Sequence, residues 1–79
     1  MKAMTCKQLG GACDNLFLAE RFDEIANQAR QHGLEMVKSG DQEHVKAMDI
    51  MKQIMNDPKA MQAWLDTKRQ EFNSLPDNK

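Results

Sequence analysis

The sequence predicts an α+β fold, a short N-terminal β-hairpin packed on three helices. Three observations predict it. The first nineteen residues hold two short strand-like runs around a glycine pair. Three later segments repeat apolar residues at helical spacing. Each segment is closed by its own punctuation: Ser39-Gly40, Asn56-Asp57-Pro58 and Leu75-Pro76. The 79 residues allow one domain. A chain this short buries only about 60–65% of the surface its unfolded form exposes. Domains of this size often draw on a metal, a disulfide or a second subunit.

The hairpin spans about 2–19. KAMTC reads as its first strand and NLFLA as its second, with Leu9-Gly10-Gly11 as the turn. Two strands alone are marginal, so the hairpin needs a supporting surface. The first helix, about 22–38, supplies Phe22, Ile25, Ala26, Ala29, Met36 and Val37 on one stripe. Asp23 and Glu24 suit the positive end of its dipole. Arg21 is a poor cap, and Gly33 weakens the centre by roughly 1 kcal/mol relative to Ala. Gly40, just past the last turn, ends it. Asp41 then caps a second helix, about 42–55, whose stripe is His44, Ala47, Met48, Met51, Ile54 and Met55. Asp57 caps a third, about 58–74, with Pro58 at its first position. Its stripe is Met61, Trp64, Leu65, Lys68 and Phe72. Residues 76–79 read as a frayed tail. Short links make the helices antiparallel neighbours around one shared core.

A net charge of −1 with both signs scattered offers no electropositive footprint for nucleic acid. No apolar run approaches the roughly 20 residues of a membrane helix. The opening MKAMTCKQLGG lacks an apolar core of signal-peptide length. These features predict a cytoplasmic protein, where a permanent Cys6–Cys13 disulfide is disfavoured. No nucleophile elbow, phosphate-cradling loop or H-E-x-x-H is present. Glu43 and His44 are adjacent and point apart on a helix. The expected protein is therefore not an enzyme.

The chain's two cysteines, Cys6 and Cys13, flank the hairpin turn. Strand alternation puts both on one sheet face. Pairing Cys6 with Cys13 directly sets them about 4.5–5.5 Å apart, and pairing Cys6 with Asn15 sets them about 7–8 Å apart on a diagonal. His32 continues the Ile25, Ala29, Met36 stripe, and His44 begins the stripe of the second helix. Two thiolates and two imidazoles are the donor set of a tetrahedral zinc site. The spacing C-x6-C…H-x11-H is not that of a zinc finger. The competing reading makes the thiols small core hydrophobes and the histidines hydrogen-bonded core residues. A redox pair is disfavoured because no C-x-x-C is present.

Seven methionines is a high count for this length. Met48, Met51 and Met55 share one face of the second helix. They either line the core or form an exposed groove for a partner helix or a second copy of the chain. A Cu(I) site of Met and Cys ranks below zinc, because nothing in the sequence brings them together.

The opening C-K-Q-L-G-G-A-C-D resembles that of a family of short, uncharacterised bacterial and archaeal proteins, some labelled predicted small metal-binding protein. Their pattern is C-[R/K]-x-L-G-x-x-C-D followed by an acidic helix ending in His. It falls here on Cys6, Leu9, Gly10, Cys13, Asp14, Glu24 and His32, within about residues 4 to 37. The resemblance implies that Cys and His act as a linked set. The family often carries a second His five positions after the first, and that position is Val37 here. The sequence thus leads to a small cytoplasmic binding or interaction protein that uses Met48, Met51 and Met55. The alternative is a zinc-binding protein using Cys6, Cys13 and His32, with His44 as the fourth donor.

Overall fold

The computed structural model describes residues 1–76. Its elements are β1 (Lys2–Thr5), a 3-10 turn (Lys7–Leu9), β2 (Leu16–Ala19), α1 (Phe22–Lys38), α2 (Gln42–Met55) and α3 (Pro58–Ser74). A two-stranded antiparallel hairpin packed on three helices makes the fold α+β. Of the tail expected over 76–79, residues 77–79 lie outside the described residues.

The opening segment departs from a tight hairpin. Lys2, Ala3, Met4 and Thr5 pair with Ala19, Leu18, Phe17 and Leu16. Strand pairing stops there, and residues 6–15 form a folded loop. The cause is local. Thr5 and Gln8 bond reciprocally, Gln8 N–H donating to Thr5 Oγ1 and Thr5 N–H to Gln8 Oε1, which starts a helical turn. Cys6 N–H still donates to Asn15 O at 2.8 Å, so the register is the diagonal one. Lys7 N–H then shifts to Cys13 O at 3.0 Å. Cys6 O accepts from both Leu9 and Gly11 N–H, which folds the loop back on Cys6. Gly10 closes the 3-10 turn at a φ of 91°, where a side chain is strained.

The buried core is Met4, Cys6, Leu9, Phe17, Ala19, Phe22, Ile25 and Phe72. Met4 and Phe17 are cross-strand partners on the inner face, while Leu16 and Leu18 point outward. Phe22 of α1 meets Phe72 of α3 edge-on at 6.0 Å. The core is therefore built by the hairpin, its loop, α1 and α3. α2 contributes one buried side chain, His44. This revises the expectation that the apolar stripe of the second helix lies in the shared core, since only its first member, His44, is buried. Met48 and Met51 are only half-buried, and Ile50 and Met55 are exposed.

The α1–α2 joint positions that histidine. Gly40 N–H donates to Val37 O and Asp41 N–H to Met36 O, with Gly40 at a φ of 88°. These are the two bonds of a Schellman ending. Asp41, last residue of that motif, is also the N-cap of α2. Among the described residues no helix is long and apolar enough to cross a membrane.

Candidate metal centre

Cys6 follows β1 directly and is 2% exposed. The loop wraps its sulfur. A Cβ on Gly11 would overlap Cys6 Sγ, so only glycine lets the chain pass that close. Burial pushes the Cys6 thiol above its ordinary pKa. The backbone N–H groups of Cys13 and Ala12 act the other way, since they donate to the sulfur and favour the thiolate. The neighbouring Cys13 thiol adds to the rise. A buried sulfur given thiolate-directed donors, beside a second thiol, is an arrangement that a cation completes.

Cys13, half-buried on the far side of the loop, lies with its Sγ 3.2 Å from His32 Nε2. His32 projects from the inner stripe of α1, and Phe17 holds its ring edge-on at 5.5 Å. His44, in the first turn of α2, places Nε2 3.6 Å from Cys6 Sγ. Its ring meets that of His32 edge-on at 5.3 Å.

The other His44 nitrogen, Nδ1, bonds the Asp41 carboxylate. The same carboxylate accepts the His44 backbone N–H at 3.1 Å as the helix cap. The two bonds, ring first and backbone second, hold Asp41 below the usual carboxylate range. An ionised Asp41 only accepts, so Nδ1 carries the ring proton. The ring nitrogen that faces Cys6 is Nε2, and in the neutral ring that is the nitrogen left to bind a metal.

Cys6, Cys13, His32 and His44 thus converge, and their four donor atoms all lie within 4.8 Å of one another. A tetrahedral ion with bonds of about 2.3 Å to sulfur and 2.0–2.1 Å to nitrogen gives S···N edges of about 3.6 Å. The two measured edges are 3.6 and 3.2 Å. The cluster is of a size and composition that could hold a metal ion, and neither cysteine is in a disulfide.

All four sequence-predicted ligands meet, although strand parity is not what unites the cysteines. Neither lies on a strand; the folded loop brings them together. His44 is the fourth member of the cluster. Met48, Met51 and Met55 are not in the cluster and line an apolar cavity beside it. Two contributors escaped the sequence reading. Asp41 was legible only as a cap, but D-x-x-H starting at an N-cap lets one carboxylate reach both the N3 backbone and the N3 side chain. Gly11 was legible only as a turn residue, because its real neighbour, Cys6 Sγ, depends on the loop's path. No family model, curated protein or solved structure matches this chain.

Proposed function

We propose that the protein is a small zinc-binding protein whose metal site is structural. One observation carries this reading: four soft donors from three separate parts of the fold converge within 4.8 Å. Two thiolates and two imidazoles suit Zn²⁺ better than the oxygen-seeking Mg²⁺ or Ca²⁺. Four protein donors leave no open coordination position, which is the pattern of a structural rather than a catalytic zinc. The protein acts by binding, not by catalysis. The ion joins the loop to α1 and α2, and it stands where α2 has its sole buried side chain, His44. The resemblance of CKQLGGACD and His32 to a family of small metal-binding proteins points the same way. A reducing cytoplasm suits such a thiolate site.

The test is metal content. Protein purified under reducing conditions without a metal-chelating tag should contain about one zinc per chain by mass spectrometry. Cys6→Ser should lose it, and both thiols should resist alkylation until a chelator is added. Folded, metal-free protein with two freely reacting thiols would overturn the reading.

A further inference from the structure

A cavity of about 380 Å³ lies between the three helices and the loop. Ala29, Gly33, Met48, Met51, Met61 and Trp64 form much of its wall, and Cys6 and His44 also reach it. Its size falls in the range of small-molecule sites, about 300–1,000 Å³. A packed core leaves few voids larger than a water molecule, whose share of liquid is about 30 Å³. This space is far larger than one water, yet its wall is nearly all apolar. Flexible, polarizable methionines are the side chains that adapt to such an occupant.

The open side carries charge. Arg30 of α1 and Lys52 of α2 both line the cavity and are both exposed. Neither has an ion-pair partner among the described residues. An occupant complementary to this surface has an apolar body and an anionic end. The cavity's volume is that of a small-molecule site, which a single unbranched chain matches.

We infer that this cavity binds a free medium-chain fatty acid of about eight to twelve carbons, its chain among the methionines and its carboxylate between Arg30 and Lys52. The chain gains from leaving water by about fourfold in affinity per methylene. The carboxylate gains a modest further factor, because both cations are solvent-exposed. The inference stands on the cavity and its rim, independently of which metal occupies the neighbouring cluster.

The experiment titrates the purified protein with hexanoate, octanoate and decanoate, watching methyl-labelled methionines by NMR. Saturable one-to-one binding is expected, with the Met48, Met51 and Met61 methyls shifting and Met1 unmoved. Affinity should rise about fourfold per methylene until the cavity is full. The double variant Arg30→Gln/Lys52→Gln should weaken decanoate about three- to tenfold and leave decanol unchanged. Three results would overturn the proposal. The first is no saturation with decanoate. The second is the same methyls shifting with protein concentration alone, which would make a second copy of the chain the occupant. The third is equal weakening of decanoate and decanol in the double variant. Metal content of the same preparation is measured in parallel, so failure of the acid site and failure of the zinc reading are separate outcomes.

Discussion

At the scale of single residues, Asp41 carries two roles that substitution can separate. It caps α2 through its bond to His44 N–H and orients the His44 ring through Nδ1. Asn caps a helix about as well as Asp, but it lacks the charge that favours a metal-bound imidazole. Asp41→Asn should therefore lower zinc affinity about 10- to 100-fold, measured by competition with a chromophoric chelator. Helicity by circular dichroism should stay unchanged. Asp41→Ala should in addition destabilise the protein by about 1 kcal/mol through loss of the cap. Gly11 offers a second residue-scale test. Any side chain there overlaps Cys6 Sγ, so the buried sulfur or the loop must shift. Gly11→Ala should cost about 1–3 kcal/mol in urea unfolding, the range of an overpacked core site, and should lower the zinc content with it.

At the scale of elements, the helices were legible from the chain because their signals are local. Gly40 ends α1, Asp41 caps α2, and Asp57-Pro58 opens α3, each acting within a few residues of itself. The one weak point the sequence shows inside a helix, Gly33, makes a prediction of the opposite sign. A Cβ there would meet only Met48 Cε at 3.7 Å, an ordinary contact. Gly33→Ala should thus stabilise the protein by about 0.5–1 kcal/mol, seen as a higher denaturation midpoint at unchanged m-value. The hairpin loop was less legible. Alternation along KAMTC and NLFLA forecasts strands up to the cysteines, but the reciprocal Thr5–Gln8 bonds end β1 at Thr5 and divert the chain through Cys6 into a 3-10 turn that begins at Lys7.

At the scale of the whole molecule, the uneven core decides how the protein should come apart. The hairpin, α1 and α3 share the buried aromatic and aliphatic side chains, while α2 is held inward by His44. With zinc at a hundred times its Kd, binding adds about 2.7 kcal/mol to stability. Chelation should lower Tm by about 10–20 °C for a domain of this size. Hydrogen exchange should show where that stability resides. On removing the metal, amides of α2 should lose protection before those of α1 and β2. Equal loss throughout would mean that the ion does not anchor α2 in particular.

The sequence by itself determined the α+β class, the three helices and the four donor types. Those properties follow from local periodicity, from caps a few residues away, and from the identities of Cys6, Cys13, His32 and His44. Only the tertiary structure decided that the four donors meet, that Asp41 turns His44 toward Cys6, and that Met48 and Met51 face a cavity instead of filling a core. The physical reason is distance along the chain. Cys6 and His44 are 38 positions apart and become neighbours only through the loop's path and the α1–α2 joint, which no local pattern encodes.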